Sequence, residues 1–378
     1  MNKLINSIYG DKYIWSIAIG LSAISLLAVY SSTSLLGYKE NKFVLTYLIK
    51  HASVIISGLI IMYITHLINY KYYIKLSNIL IVIAVPLLLY TLLFGTSINE
   101  ASRWIRIPII DKTFQTSDFA KFALFIYLAK ELAFKQKIIK DFKSGFLPII
   151  AAIIVICVLV APSNLSTAIM IFATSMLLLV IGRVSFTQIL LLIMCGAVII
   201  SLTMMYGPRK EVYKNRLEAF ISPGKHDLGK NYQRKHAKIA ISSGGVFGKG
   251  PGNSTQRNYL PSPYADFIFA IIIEEYGLIG ASVVVFLYLA LLARVIKISL
   301  QTDNAFAALL VVSLGFSLVI QALLNMAVAV NLLPVTGVSL PLISMGGTSI
   351  VFTCITFGII LNISRTIYTN ENKRIKFQ

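Results

Sequence analysis

Apolar runs of about 20 residues recur along the whole chain with short polar joints between them, the pattern of helices sized to cross a ~30 Å hydrocarbon core. The pattern predicts ten membrane segments, at approximately 13–35, 44–66, 77–95, 116–134, 146–162, 165–181, 187–206, 264–297, 305–330 and 343–367. The joint between the fifth and sixth is the short turn Ala161-Pro162-Ser163-Asn164. Proline there stops one helix, and Ser or Asn caps the next. The eighth apolar run, about 34 residues, is longer than one crossing needs at ~1.5 Å of rise per residue. Either Gly277 and Gly280 bend it, or its first turns project into the outer interface. Only one long polar stretch interrupts the series, roughly 207–263. Residues 1–378 read as a single all-α polytopic membrane domain, with a large loop between helices 7 and 8 and no internal repeat.

Composition agrees: 57% of residues are hydrophobic and only 13% charged, too few charges to cover a soluble surface. The first apolar run has no small-residue cleavage site behind it, so no cleavable signal peptide is expected. Cys157, Cys195 and Cys354 all fall in apolar runs without metal or disulfide spacing, and are expected as small packing residues. The net charge is +19, which in a membrane protein points to lysines near anionic lipid and not to nucleic acid. With the N-terminus inside, sixteen lysines and arginines flank the inner ends, against five (Lys39, Lys42, Arg103, Arg106, Lys112) in the short outer loops. That bias puts both termini in the cytoplasm and the 207–263 loop outside. The loop carries eleven Lys/Arg and three acids (Glu211, Glu218, Asp227), a balance of +8. A basic surface at the outer membrane face suits an anionic ligand such as a phosphate-bearing lipid.

Candidate chemistry collects around Asp266, where the basic stretch gives way to Asp266-Phe-Ile-Phe-Ala270. A carboxylate at the mouth of a membrane segment is costly unless water, a partner or a substrate meets it. If the helix starts near Pro263, Asp266, Ala270 and Glu274 share one face at i, i+4 and i+8, with Glu275 turned away. Two carboxylates ~12 Å apart along the axis are too far apart to act on one bond as a retaining pair. Asp266 is then the candidate base, while Glu274 and Glu275 pair with buried cations or polar groups.

Three other stretches stand out. Ser242 to Gln256 is glycine-rich and contains Lys249, but Ser243 and Gly250 break the phosphate-loop pattern, so nucleotide binding is not expected. Its backbone N–H groups remain candidates to approach an anion. Arg103-Trp-Ile-Arg106 precedes Thr116-Ser-Asp-Phe-Ala-Lys121. Thr116, Ser117 or Asp118 would cap the fourth helix, and Lys121 would lie a turn inside the membrane, wanting a carboxylate or a phosphate. Asn331 to Ser349 holds two prolines and three glycines among hydroxyls. It predicts broken backbone that must be buried in protein or line a cavity.

Together these stretches resemble the SEDS family of bacterial membrane glycosyltransferases, the FtsW and RodA proteins. Ala101-Ser-Arg-Trp-Ile105, Thr116-Ser-Asp-Phe-Ala-Lys121, Ser242 to Gln256, Asp266 to Gly277 and Leu332 to Ser349 run close to that family's patterns over most of the chain. The Pro-Gly-Asn-Ser-Thr-Gln and Pro-Tyr-Ala-Asp forms look more like division-type FtsW than like the elongation type. Departures exist. The acid and histidine often found before the aspartate are missing from Leu260-Pro-Ser-Pro-Tyr-Ala-Asp266, the fifth-to-sixth turn reads Ser163-Asn-Leu-Ser-Thr-Ala168, and Asp118 replaces a usual Glu.

The resemblance implies polymerisation of lipid II into peptidoglycan strands with release of undecaprenyl diphosphate, for septal wall synthesis in the inner membrane. It makes Asp266 catalytic, as general base on the acceptor hydroxyl in an inverting displacement that also needs cations for the diphosphate. The motif positions expected on substrate are Arg103, Trp104, Lys121, Arg234, Lys249, Gln256, Ser344 and Thr348, with Glu274 and Glu275 in structural support. Expected partners are a monofunctional class B penicillin-binding transpeptidase and other membrane proteins of the division machinery. No cofactor is dictated by the sequence, and a divalent cation, Mg or Mn, stays open. The alternative is a flippase or transporter of lipid-linked precursor. Transporters usually carry their ionisable groups near the midplane on repeat-related helices, whereas here the polar groups gather at one end.

Overall fold

A computed structural model of the chain describes residues 10–34, 43–98, 101–107, 112–139, 141–221 and 228–376. All ten predicted segments are helical. In chain order they are α1 (Lys12–Ser32), α2 (Val44–Leu67), α3 (Tyr72–Phe94), α4 (Thr116–Phe134), α5 (Leu147–Val160, led in by a π-turn at Phe142–Phe146), α6 (Leu165–Ile181) and α7 (Phe186–Tyr206). After α8 (Lys210–Ile221) and α9 (Leu228–Gly244) come α10 (Ile268–Leu300), α11 (Ala305–Ala329) and α12 (Gly347–Lys376). Eight of the ten are long and apolar enough to cross a membrane, so the chain is a multi-pass membrane protein. The other two are α4, which carries Asp118, Lys121, Lys130 and Glu131, and α6, which has 17 residues. Of the charges tallied above, Lys3, Lys39, Lys42, Lys140, Lys225 and Asp227 lie outside the described residues.

Two expectations need correction. The chain is not all-α: β1 (Thr96–Ile98), β2 (Ala101–Ile107) and β3 (Lys112–Gln115) form an antiparallel sheet between α3 and α4. Trp104, Ile105 and Ile107 of β2 and Thr113 and Phe114 of β3 are residue types that a pleated surface favours, and Trp104 stands opposite Gln115. The 207–263 stretch is not simply a loop either, since it contains α8 and α9. Helix caps also differ from expectation. Gln115 holds the N-cap position of α4, which leaves Thr116, Ser117 and Asp118 inside the first turn and Lys121 buried one turn further on. The fifth-to-sixth turn behaves as predicted, for Asn164 caps α6 by accepting from Thr167 N–H.

Contacts sort the joints onto two ends of the bundle. At one end Asp11 caps α1, accepts from Arg294 of α10 and takes Ser364 Oγ on its own N–H, while Tyr70 N–H meets Asn362 of α12. The described starts of α1 and α3 thus meet the middle of α12, at Ser364 and Asn362. The β-sheet, the Ala161–Asn164 turn, α8 and the 331–346 segment gather at the opposite end.

α10 breaks at Gly277 (φ 64°, ψ −163°) and not at Gly280. The glycine-rich loop repairs the break. Lys249 N–H and Gly250 N–H donate to the carbonyls of Glu274 and Glu275, and Leu278 and Ile279 donate to Gly245 and Val246. Backbone approaches so closely here that a Cβ on Gly277 would sit 2.2 Å from Val246 oxygen, and one on Gly248 would sit 2.2 Å from Glu275 oxygen. Gly252, also at positive φ, has nothing within 4 Å of its Cβ position. Gly277→Ala should therefore destabilise by at least ~3 kcal/mol, the upper end for a glycine-only backbone conformation. Gly252→Ala should cost about 1 kcal/mol. Unfolding of the detergent-purified variants measures the difference, and equal midpoints would refute the close-packing account.

Candidate active site

Asp266 is not on α10. The helix begins at Ile268, and residues 261–267 form a chain of turns. The common helical face expected for Asp266, Ala270 and Glu274 therefore does not exist. Tertiary hydrogen bonds outcompete the helix here. Met345 N–H donates to the Tyr264 carbonyl at 2.9 Å, Ser344 Oγ to Ala265 at 2.6 Å, and Asn325 Nδ2 to Asp266 at 3.0 Å. Three consecutive carbonyls are thus held from outside, and the Asp266 side chain is left partly open.

The segment opposite, 331–346, is irregular and largely inward-facing, as predicted. Five side chains from four helices satisfy its carbonyls. Arg216 of α8 donates to Val335, Asn325 and Gln321 of α11 to Val338 and Ser339, Tyr288 of α10 to Pro341 at 2.5 Å, and Ser25 of α1 to Ile343. Gly337, at φ +71°, brings the segment against the site, with its Cβ position 3.5 Å from Asp266 Oδ2 and 3.8 Å from Arg103 Nη1.

Arginines surround the carboxylate. Arg103 on β2 anchors its Nε to the Ser163 carbonyl at 2.9 Å, and Arg209 Nη1 reaches the same oxygen at 3.3 Å. Tyr213 docks α8 on that turn, donating to Ala161 oxygen and accepting from Leu165 N–H. Burial raises the Asp266 carboxyl above the usual carboxylate range, and Arg103 and then Arg216 oppose the rise. Burial, followed by repulsion from Arg209 and Arg216, pushes the Arg103 guanidinium down to about 10, so it stays charged at neutral pH. Arg216 is lowered for the same reasons, burial first and Arg209 next. One carboxylate among three guanidiniums leaves a positive excess at a partly dehydrated mouth, where an added anion is favoured. This donor set does not fit a resident divalent cation, and among the described residues no three His, Cys, Asp or Glu come together.

The other predicted site residues are distributed differently. Ser344 belongs to the site through its hold on Ala265. Trp104 and Thr348 flank Gln115, the first across the strand pair and the second by accepting Gln115 N–H. Lys121 donates to Gln321 within the bundle at 2.5 Å. Arg234 staples the end of α8 to the start of the 331–346 segment, bonding the Ala219 carbonyl at 2.7 Å and Asn331 at 3.0 Å. Lys249 is ion-paired with Glu274 at 2.6 Å, and Gln256 bonds His236 at 2.7 Å. Glu274 and Glu275 are both buried and held by hydrogen bonds. Glu274 also accepts from Ser254 Oγ and from Thr255 and Gln256 N–H, and Glu275 from Ser31 Oγ and Ser254 N–H. Sequence reasoning missed Arg209, Tyr213, Arg216, Gln321 and Asn325. The spacing Arg209, Tyr213, Arg216, Phe220 carried a signal, because it repeats on one helical face.

Comparison with known proteins places the chain. The family model described as cell cycle protein, FtsW/RodA/SpoVE, matches residues 11–369. The probable peptidoglycan glycosyltransferase FtsW of Coxiella burnetii is 30% identical over 371 residues, covering 96% of this chain and 97% of that one. Two solved structures share the fold at 21% identity, each covering 95% of this chain and 98% of the other. They are a chain of a peptidoglycan synthase complex that coordinates polymerization and crosslinking, with a TM-score of 0.75, and the rod shape determining protein RodA of Thermus thermophilus, with a TM-score of 0.69. The motifs at Arg103, Asp266 and the broken segment are thus set in a full-length match, and the chain belongs to the FtsW/RodA/SpoVE family of cell cycle proteins.

Proposed function

We propose that this protein is a peptidoglycan glycosyltransferase that polymerises lipid II into glycan strands, and that its chemistry is an inverting displacement at Asp266. The observation that carries the reading is a partly open carboxylate set against Arg103 and Arg216 at one mouth of the bundle. The 4-hydroxyl of the acceptor sugar attacks the anomeric carbon of the donor. An oxygen–carbon bond forms, the bond from that carbon to the phosphate oxygen breaks, and undecaprenyl diphosphate leaves with the electron pair. Asp266 takes the hydroxyl proton, and a base made more proton-avid by burial suits that task. Arg103, Arg209 and Arg216 stabilise charge as it develops on the diphosphate. Lys249 and Arg234 have no part in this step, since their charges serve Glu274 and the junction of α8 with the 331–346 segment.

The remaining parts of the reading follow from the same basis. All ten long helices cross the membrane, α4 and α6 included, because each is flanked by joints at opposite ends of the bundle. The end holding Asp11 and Arg294 is cytoplasmic, which agrees with the lysine and arginine bias, and Asp266 faces outward across the bacterial inner membrane. Relatives named FtsW support work at the division septum. The fold shared with a synthase complex that couples polymerization to crosslinking supports a class B penicillin-binding transpeptidase as partner.

The test is polymerisation of labelled lipid II by the purified protein with its transpeptidase. Asp266→Ala and Asp266→Asn should lower kcat by about 10²–10⁴-fold, the usual worth of a positioned base, with unfolding midpoints unchanged; equal glycan product from wild type and Asp266→Ala would sink the base assignment. Arg216→Met and Arg209→Met should raise KM for lipid II and lower kcat/KM by about tenfold or more, as loss of a charge-assisted phosphate contact predicts. Lys249→Met should instead lower the unfolding midpoint, because it strands a buried Glu274. A Lys249→Met protein of normal stability with a raised KM would return that residue to the substrate.

A further inference from the structure

Lys121 is a buried ammonium inside the bundle, and the reaction proposed above leaves it unused. It lines a narrow cleft with Asp118, Ser317, Ser349, Thr353 and Thr356, away from the arginines at the mouth. An ionisable group at such a depth is expensive and marks a function. Its geometry indicates which one. Lys121 Nζ donates to Gln321 Oε1 at 2.5 Å. An ammonium has only donors, and an amide has one acceptor atom, so this bond dictates which way the Gln321 amide faces. The Gln321 NH₂ is thereby turned to the Ser339 carbonyl, 2.9 Å away. One turn along α11, Asn325 holds the carbonyls of Val338 and Asp266 together. A Cβ on Gly337, next in the chain, would lie 3.5 Å from Asp266 Oδ2 and 3.8 Å from Arg103 Nη1.

We infer that Lys121 is a positioning residue, acting through Gln321 and Ser339 to hold the Gly337–Ser339 wall in register with Asp266, and not a group that touches the diphosphate. The nearby Asp118, on the same helix face, offsets its charge in the low-dielectric interior. Asp118 and Lys121 at i and i+3 thus serve as a buried unit that orients one amide. The effect on turnover rests on the proposed polymerase reading, but the effect on the wall does not.

Two variants and two readouts test this. Lys121→Met removes the ammonium. Gln321→Glu keeps the size and an acceptor for Lys121 but has no N–H for Ser339, so it is expected to fold. Each should lower kcat about ten- to a hundredfold, as a misplaced reacting group does, with KM for lipid II within about twofold of wild type. The double variant Lys121→Met/Gln321→Leu should be no worse than Lys121→Met alone, because the residues act in series. Hydrogen exchange over residues 331–346 should speed up in both single variants, and this readout needs no substrate. A Lys121→Met protein with raised KM and retained kcat would overturn the inference in favour of direct substrate contact. So would a folded Gln321→Glu protein with full kcat and unchanged exchange. A wild type that makes no polymer would count against the polymerase reading alone, and exchange would still decide the role of Lys121.

Discussion

The segment from Asn331 to Gly346 belongs to no helix and no strand, yet much of it is buried in a membrane-spanning bundle. Water is scarce there, so its backbone groups must find partners in protein. They find them in Ser25, Arg216, Tyr288, Gln321 and Asn325, drawn from α1, α8, α10 and α11. The same segment returns the favour through Ser344 and Met345, which hold the turn carrying Asp266. Candidate base and opposing wall are therefore parts of one hydrogen-bonded assembly. A residue far from the carboxylate can disturb it by releasing a single carbonyl.

The second constraint is the break in α10. α10 starts at Ile268, just behind Asp266, and does not run on as one regular helix. Gly277 bends it, and the glycine-rich loop closes over the bend by mutual backbone bonds. Glu274, with none of its surface exposed, gathers Lys249, Ser254, Thr255 and Gln256 around the joint. The lysine of this loop is thus part of a structural clamp. The guanidiniums beside Asp266 come instead from β2 and α8, as Arg103 and Arg216, with Arg209 next to both.

How far sequence reading reached follows from these forces. The long apolar helices were legible because burial in lipid demands long apolar runs, and Asp266 because a carboxylate at such a mouth needs a reason. The break at Gly277 and the irregular 331–346 backbone announced themselves through glycine and proline. What was not legible depended on pairing between distant residues. Nothing local in Lys249 reveals a carboxylate 25 positions away, and a helix start at Pro263 looked natural until Asn325, Ser344 and Met345 claimed the intervening carbonyls. Arg209 and Arg216 were hidden among eleven like charges, and the sheet that aims Arg103 was hidden in a short joint between two helices.

The central claim is that Asp266 works as a base whose proton affinity reflects burial opposed by the arginines beside it. The pH dependence of kcat/KM tests this most directly, since it reports the essential base of the free enzyme. The wild-type rate should rise with pH through an acid limb above the usual carboxylate range. In Arg216→Met, where a cation favouring the ionised form is gone, that limb should move to higher pH. An acid limb that stays put or moves to lower pH in Arg216→Met would contradict the account.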